Sequence, residues 1–307
     1  MKHRFKNPIP PMHKIIRFIL AGGIIAFLLF IIIHVLGFHK KEELNHKEKL
    51  ERIRNFKIES TVLYQVKQFY EKNYSEKEKE YLPEEYFAAL FLKNQFEVRL
   101  KNVSSVDITE YANDYAKDFE FLQAICKPIL YDMEVFPVPV NGDFLPITDT
   151  YPRHDGTNYQ KGYVYFSDSW NYKRTYGGDR RHEGCDIMAE INERGRYPVV
   201  SMTDGVVEHM GWLELGGYRI GIRSENGGYF YYAHLCDYAS NLKEGDTVYA
   251  GQYLGAMGDT GYSKVEGTTG NFDVHLHISI YVTYNNVEYS INPYYILKNL
   301  RVIRANY

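Results

Sequence analysis

Two histidines, His275 and His277, lie in a segment whose residue types could do chemistry. Residues 273–281 read D-V-H-L-H-I-S-I-Y, so that polar and apolar residues alternate. Because successive side chains of a β-strand point to opposite faces, this alternation predicts a half-buried strand with both imidazoles on one face. Imidazole is the commonest nitrogen ligand of zinc, and ligands two residues apart on a strand can serve one site. The alternative is a polar strand face with two solvated histidines.

A second group of candidate ligands lies upstream, in residues 182–186, which read H-E-G-C-D. His182 and Asp186 are four residues apart and can face the same way on either a strand or a helix. The glycines of residues 177–184 make a helix unfavourable there. Since Asp186 stands where the H-E-x-x-H motif of zinc proteases has its second histidine, Glu183 does not inherit that motif's general-base role. A further histidine, His234, follows an aromatic run, where a packed or hydrogen-bonded role is the simpler alternative.

Three further segments accompany these histidines along the chain. Residues 199–207 read V-V-S-M-T-D-G-V-V, residues 242–255 contain E-G-D-T-V and G-Q-Y-L-G, and residues 258–263 read G-D-T-G-Y-S. With the histidine motifs, they make the chain from residue 136 to its C-terminus resemble the lysostaphin-type (LytM-like) zinc endopeptidases of bacterial cell walls. The resemblance implies a mainly antiparallel β catalytic domain of the duplicated hybrid motif type.

The resemblance also implies roles for individual residues. It makes His182, Asp186 and His277 the protein ligands of one catalytic Zn²⁺, with His234 and His275 as a catalytic pair beside it. Three protein ligands and a water in the fourth position are typical of a catalytic rather than a structural zinc site. The metal lowers the pKa of that water to about 7 and polarises the scissile carbonyl, while a histidine moves the proton. Which of the two histidines does so stays open.

The chain departs from the family's pattern just before the histidine strand. It has F-D-V at residues 272–274, where many members have Gly-Pro, and extra residues at 265–271. We expect both departures to shape the wall of a cleft, and so the choice of substrate, rather than the metal site. Among the 29 tyrosines, Tyr232 is our candidate for a substrate-binding residue in a peptide groove.

Composition divides the 307-residue chain into two parts. Of its 24 glycines, only Gly22, Gly23 and Gly37 come before residue 142, and later glycines separate short aromatic and β-branched runs. This contrast predicts an α+β organisation, with helices first and a β-rich catalytic domain over residues 131–307. The formal net charge of −3 argues against a dedicated nucleic-acid-binding protein.

Residues 18–38 are apolar apart from His34 and are long enough to cross a bilayer as a helix. Residues 1–17 carry lysines and arginines but no acidic residue. The positive-inside rule therefore predicts a cytoplasmic tail (1–17), a single-pass membrane anchor (18–38) and an extracytoplasmic catalytic domain. A cleaved signal peptide is the alternative, although the apolar stretch is longer than the usual signal core. Either reading delivers the catalytic domain to the cell wall.

Residues 39–130 are predicted to form a helical stalk or accessory region. The Lys- and Glu-rich residues 40–58 indicate a solvated stalk helix, and Pro83 followed by two glutamates indicates a helix start. Apolar residues spaced by three and four predict a further helix over residues 107–127 that ends at Pro128. The region is either a spacer toward the cell wall or a regulator whose helices dock on the catalytic domain or a membrane partner.

Three cysteines, Cys126, Cys185 and Cys236, fall on the predicted outer side of the membrane. A disulfide between Cys185 and Cys236 is compatible with that compartment, and it would leave one cysteine over. Cys185 is a poor candidate for a zinc ligand because, on a strand, its side chain would point away from Asp186. Small buried hydrophobic residues are the favoured reading for Cys185 and Cys236.

These observations predict a membrane-anchored zinc endopeptidase that hydrolyses peptide bonds in peptidoglycan stem peptides or cross-bridges during cell-wall remodelling. The alternative is a catalytically silent scaffold in a membrane-associated cell-wall, division or sporulation complex. Loss of a site residue would mark such a scaffold, and all five residues are present. A lipoyl- or biotinyl-type carrier is set aside because residues 257–259 hold no acceptor lysine. The scissile bond and any protein partner stay open.

Overall fold

The structure, a computed structural model, describes residues 46–74, 81–139, 151–152, 158–159 and 163–301. The chain divides into two compact units, Met1–Lys49 and Leu50–Tyr307. The predicted tail and anchor, residues 1–17 and 18–38, lie outside the described residues. Every helix within the described ranges falls short of the length or apolar character that a bilayer span requires. Of the described residues, only 46–49 belong to the first unit, and all the others belong to the second.

Helices dominate the first part of the described chain. They are α1 (His46–Asn55), α2 (Val62–Asn73), α3 (Pro83–Lys93), α4 (Ile108–Asp114), α5 (Ala116–Tyr131) and, near the C-terminus, α6 (Pro293–Leu297). The predicted start at Pro83 is confirmed, because proline suits a first helical position, where its missing N–H has no partner to lose. The carboxylate of Glu85 accepts a hydrogen bond from the Leu82 backbone N–H at 2.6 Å and closes the same end.

The helix predicted over residues 107–127 is two helices in the structure. The backbone leaves helical geometry at Tyr115 (φ −130°, ψ 34°), which separates α4 from α5. The prediction that Pro128 ends the helix is wrong, since α5 continues to Tyr131. Proline removes one backbone donor, but Pro128 lies in the last turn. Ile129, which follows it and is 1% exposed, holds that turn against the core.

The helices α2 to α5 share one hydrophobic core with the β-sheet. Phe121 of α5 stacks on Tyr284 with ring centroids 5.1 Å apart. Helix α1 ends at Asn55, and its Ile53 is 2% exposed, so the described part of residues 40–58 is not a wholly solvated helix. The domain boundary near residue 130 stays a prediction.

Strands make up most of the remaining chain. They are β1 (Lys57–Ile58), β2 (Glu97–Val98), β3 (Tyr151–Pro152), β4 (Asn158–Tyr159), β5 (Val164–Phe166), β6 (Lys173–Arg174), β7 (Arg180–Arg181), β8 (Cys185–Ala189), β9 (Pro198–Val200), β10 (Gly205–Leu213), β11 (Gly217–Arg223), β12 (Tyr229–Tyr238), β13 (Thr247–Val248), β14 (Tyr253–Met257), β15 (His275–Tyr284) and β16 (Val287–Ile291). A parallel pair β1–β2 and a hairpin β6–β7 stand apart from one antiparallel sheet, ordered β13-β10-β11-β12-β15-β8-β5-β4-β3. In addition, β14 pairs with β12 and β9, and β16 pairs with β15. The predicted mainly antiparallel β domain is confirmed.

The centre of the sheet carries the candidate site. Strand β15 pairs with β12 on one side and with β8 on the other, so Ala233, His277 and Asp186 stand side by side. The strand predicted over residues 273–281 is confirmed, although it is more than half-buried. Leu276 is 0% and His275 8% exposed, because the core covers one face of the strand and a cleft encloses the other.

Candidate active site

The two predicted ligand motifs meet across the centre of the sheet. His277 and Asp186 are direct cross-strand partners, and His182 lies in the loop between β7 and β8. One ligand atom from each residue lies within 4.8 Å of the other two. His182 Nε2 is 3.1 Å from Asp186 Oδ1 and 3.0 Å from His277 Nδ1, which is itself 2.9 Å from that carboxylate oxygen. The fold therefore gathers the three residues at one point.

Hydrogen bonds on the far side of each imidazole decide which nitrogen faces this point. His182 Nδ1 is 2.9 Å from the Ser169 carbonyl oxygen, which can only accept, so the proton is on Nδ1 and Nε2 offers a lone pair. The Ser279 hydroxyl donates to the Glu183 carbonyl at 2.6 Å and therefore accepts from His277 Nε2 at 2.8 Å. His277 Nδ1 is left with its lone pair. Such outer partners fix and strengthen metal-binding imidazoles.

The electrostatics of the three residues also suit a cation. Burial lowers the pKa of His277 to about 4, so its imidazole is neutral at neutral pH. Burial alone would raise the pKa of Asp186, but the imidazoles of His182, His275 and His277 beside its carboxylate hold that pKa well below its ordinary value. The group therefore offers two imidazole nitrogens and one carboxylate, a donor set that zinc accepts with a fourth position open.

Gly184 provides the space that the His277 ring occupies. A Cβ at this position would lie 2.4 Å from His277 Cε1, 2.6 Å from its Nε2 and 2.6 Å from the Ile278 carbonyl oxygen. These distances are far below van der Waals contact, and the carbonyl belongs to the central strand β15. No larger residue fits here while His277 keeps its place.

His234 reaches the same cleft because β12 is bulged. Ala233 and His234 together stand opposite Arg219 of β11, and His234 has a left-handed φ of 63°. Its backbone N–H donates to the Gly216 carbonyl at 2.7 Å. A non-glycine residue in this region of φ is strained, and strain of this kind is often found at functional sites.

His234 and His275 lie beside each other with ring centroids 4.7 Å apart. Each has its Nδ1 2.7 Å from a backbone carbonyl oxygen, of Thr260 and Asp273 respectively, so each Nδ1 donates to that oxygen and each Nε2 is turned away from it. Burial, together with repulsion from His275 and His277, lowers the pKa of His234 well below its ordinary value. His234 is therefore a neutral proton acceptor at neutral pH.

Tyr232, the candidate for substrate binding, lies in the core rather than in the cleft. It is 0% exposed, and its hydroxyl accepts a hydrogen bond from the Met202 backbone N–H at 2.8 Å. The bulge explains the difference. Regular alternation would place Tyr232 and His234 on one face, whereas the extra residue lets Tyr231 and His234 both face the cleft.

The cleft has a volume of about 830 Å³ and includes all five predicted site residues in its lining. One wall includes two aromatic residues that flank the inserted segment 265–271, namely Tyr262 before it and Phe272 after it. Phe272 lies edge-on to His234 with centroids 4.6 Å apart, and Tyr262 stacks on Tyr176 at 4.5 Å. Phe272 also lies edge-on to His275 with centroids 5.0 Å apart, so it contacts both members of the predicted catalytic pair.

The cysteines form no disulfide, and all three are free thiols. Cys185 is buried on the face of β8 opposite Asp186, where its thiol donates to the Ser167 carbonyl at 3.5 Å. Burial raises the pKa of the Cys185 thiol well above its ordinary value. Cys185 therefore stays a neutral thiol and does not face the proposed metal, as the sequence predicted.

Arg174, at the end of β6, contacts the predicted ligand group directly. Its Nη2 lies 2.5 Å from Asp186 Oδ2, the carboxylate oxygen that points away from the two histidines. The sequence motifs do not mark Arg174, Gly184 or Ser279 as site residues. The position of Ser279 two residues after His277 on an alternating strand was the only available signal, since the other two depend on the folded geometry.

Several known proteins resemble part of this chain. Residues 180–291 match the model for peptidase family M23. Over 129 residues the chain is 43% identical to the L-Ala–D-Glu endopeptidase of Bacillus subtilis, which covers 42% of this chain and 38% of that protein. Over 109 residues it is 36% identical to the glycyl-glycine endopeptidase ALE-1 of Staphylococcus capitis. That alignment covers 32% of this chain and 28% of ALE-1. The chain thus spans less than half the length of either relative.

A solved structure extends the likeness to most of the molecule. LytM of Ruminococcus gnavus, named as a glycyl-glycine endopeptidase, is 37% identical, with a TM-score of 0.62. The alignment covers 83% of this chain and 93% of that one, so it includes much of the helical region as well as the β domain. With the family match over the histidine motifs, this similarity shows that the chain belongs to peptidase family M23.

Proposed function

We propose that the protein is a zinc-dependent endopeptidase that hydrolyses peptide bonds in the stem peptides or cross-bridges of peptidoglycan. The observation that carries this proposal is the group His182, Asp186 and His277, whose lone pairs converge at one point inside a cleft. Endopeptidases that act on L-Ala–D-Glu and glycyl-glycine bonds are among its relatives, which supports the reaction class. We assign one zinc ion to this group.

A zinc ion held there would polarise the scissile carbonyl and lower the pKa of a coordinated water to about 7. His234 and His275 supply the proton transfers that peptide hydrolysis needs. Their Nε2 atoms face the cleft as acceptors, because the Thr260 and Asp273 carbonyls hold the Nδ1 protons. A neutral imidazole takes a proton from the attacking water, and the resulting imidazolium returns it to the leaving amine.

We further propose that residues 18–38 anchor the protein in the cell membrane, with residues 1–17 in the cytoplasm and the catalytic domain outside. The apolar length of the segment and the lysines and arginines before it support this topology. Peptidoglycan lies on that side of the membrane, so substrate and enzyme would share a compartment. Cell-wall remodelling is the role we infer.

The contact between Arg174 and Asp186 favours one alternative, a catalytically silent scaffold. The guanidinium neutralises a carboxylate that the metal would need, and a permanent ion pair there would weaken metal binding. In an active enzyme, Arg174 must either contact only Oδ2 of Asp186, which leaves Oδ1 for the metal, or move away from Asp186 when the metal binds. The variant Arg174→Gln removes this competition without removing a predicted ligand.

A digest of purified peptidoglycan with the full chain, kept in mild detergent, tests the proposal. We expect new amine termini, identified by mass spectrometry, which vanish after chelator treatment and in His277→Ala. The mass of the products names the scissile bond. Arg174→Gln serves as the matched variant. If Arg174→Gln cleaves peptidoglycan and the wild type does not, Arg174 inhibits the enzyme. If both proteins bind zinc and neither cleaves peptidoglycan, the scaffold is favoured.

A further inference from the structure

The cleft contains arginines that have no acidic partner among the described residues. Four arginines line it, namely Arg174, Arg180, Arg181 and Arg219. Only Arg174 forms an ion pair with a carboxylate within the part of the chain that the structure describes. Arg180 donates to the Tyr262 hydroxyl at 3.1 Å, and Arg181 donates to a backbone carbonyl at 3.3 Å. Neither bond neutralises the charge.

Two acidic residues of the cleft pair with arginines that lie outside it, although these arginines also pair with Glu51 and Glu208. Glu183 pairs with Arg54 of α1 at 2.9 Å, and Glu288 pairs with Arg223 at 3.5 Å. Neither Arg54 nor Arg223 lines the cleft. Asp186, the remaining carboxylate, belongs to the predicted metal ligands. The side chains that face the cleft therefore leave an excess of positive charge for a ligand to neutralise.

Arg219 is the best placed of these cations. It extends from β11 on the floor of the cleft, one strand beyond Ala233, which pairs with His277. Its Nη1 is shielded from solvent and has no hydrogen-bond partner among the described residues. A shielded guanidinium N–H without an acceptor is unfavourable. Arg219 nevertheless lines the cleft, so its other guanidinium N–H groups can donate to a bound molecule, and a carboxylate would stabilise the uncompensated charge best.

Two tyrosines frame this position. Gly216 and Gly221 leave room for the rings, since a Cβ at either would overlap the hydroxyl of Tyr231 or Tyr229. Burial raises the pKa of Tyr229 to about 12 and that of Tyr231 further, so both phenols stay protonated. Their hydroxyls lie against Gly216 and Gly221, on either side of Arg219 along the chain, and are hydrogen-bond donors.

We propose that this cleft binds a peptide with a free carboxylate close to the scissile bond, and that Arg219 receives that carboxylate. The proposal rests on the endopeptidase function above and narrows its substrate class. Neighbouring strands lie about 4.8 Å apart, so Arg219 stands about 10 Å from His277 across β12. An extended peptide rises about 3.3 Å per residue, which puts the carboxylate within about three residues of the reacting bond. A glutamyl residue of a stem peptide has this charge, and a glycine cross-bridge has none.

Two synthetic stem peptides that differ in one group test the proposal. One has a glutamyl residue with a free carboxylate, and in the other that carboxylate is a carboxamide of nearly the same shape. We expect the full-length, zinc-loaded protein to cleave the acid with a kcat/KM about 10- to 100-fold higher. Arg219→Gln should abolish this preference by slowing cleavage of the acid only, and Arg219→Lys should restore part of it. Arg196→Gln, a matched charge change outside the cleft, should leave the preference intact.

Calorimetric binding of both peptides to chelator-treated protein gives a readout that does not depend on cleavage. The wild type and Arg196→Gln should bind the acid more tightly than the amide. Arg219→Gln should bind the two peptides with equal affinity. An equal affinity of the wild type for both peptides, or a preference that persists in Arg219→Gln, overturns the role of Arg219. If the zinc-loaded wild type cuts neither peptide but still prefers to bind the acid, the endopeptidase function fails and the carboxylate site stands.

Discussion

Replacing Gly184 with alanine tests whether the His277 ring is held where zinc requires it. The added Cβ would lie 2.4 Å from His277 Cε1 and 2.6 Å from the Ile278 carbonyl oxygen. The carbonyl belongs to β15, which is paired on both sides, so the backbone there resists displacement. The imidazole must therefore move, and the backbone of residue 184, in the loop before β8, must also shift away from the carbonyl.

The size of that movement can be worked out from the contact distances. The ring must retreat from 2.4 Å to the ordinary limit of 3.4 Å, a shift of about 1 Å for Cε1. Metal–ligand distances tolerate only about 0.2 Å, so His277 would no longer complete the ligand set. Loss of an outer partner alone costs 10- to 100-fold in metal affinity. We therefore expect Gly184→Ala to raise the zinc Kd by about 100-fold or more, and overpacking to lower the free energy of unfolding by about 1–3 kcal/mol.

Competition with a chromophoric zinc chelator measures the Kd, and urea unfolding of the metal-free protein measures stability. Gly178→Ala is the control. Gly178 has a left-handed φ of 110°, but a Cβ there meets nothing within 4 Å. This variant should lose some stability through backbone strain and keep its zinc affinity. If Gly184→Ala binds zinc as tightly as the wild type, the inferred role of Gly184 is refuted.

Three further predictions concern the groups around the ligands. Ser279→Ala removes the acceptor that holds the His277 Nε2 proton, so the zinc Kd should rise about 10- to 100-fold in the same competition assay, and an unchanged Kd would refute this role. The metal-free protein should lose stability as the pH falls below 6.5. In the unfolded chain His277 is then protonated, whereas in the folded protein the buried side chain, with a pKa of about 4, stays neutral. The loss should reach about 3 kcal/mol at pH 4 relative to His277→Gln in urea unfolding, and parallel curves for the two proteins would contradict it. Arg54→Met removes bonds to Ser290 and Glu183, so it should lower the free energy of unfolding by about 2 kcal/mol, whereas the neighbouring Arg52→Met should change it little.

The sequence was most informative where a regular pattern and a chemical requirement coincide. Alternation in residues 273–281 predicted a strand, and β15 is that strand. Strand parity also predicted that Cys185 points away from Asp186, because side-chain direction on a regular strand follows from position alone. His182 and Asp186 share a site with His277 only because β8 is the neighbour of β15, a pairing that the family resemblance implied and that local pattern does not contain.

The features that could not be predicted from the sequence are those that depend on irregular backbone or on distant segments. The bulge in β12 shifts the parity of the strand, and so it moved Tyr232 into the core and brought Tyr231 to the cleft. The break at Tyr115 and the passage of α5 through Pro128 depend on packing against the sheet, which outweighs local propensity. The hydrogen bonds that orient each imidazole come from distant segments, such as Ser169 for His182. No local pattern signals them.

The measurement that tests the central claim most directly is a zinc titration of the metal-free full chain in the presence of peptidoglycan. Bound zinc and released amine termini would be followed together in the same samples. We expect both to rise in parallel and to reach a plateau at one zinc per chain, and we expect neither change in His277→Ala. Release of amine termini before zinc is added would contradict a zinc-dependent endopeptidase. So would protein that binds one zinc per chain and releases no amine termini.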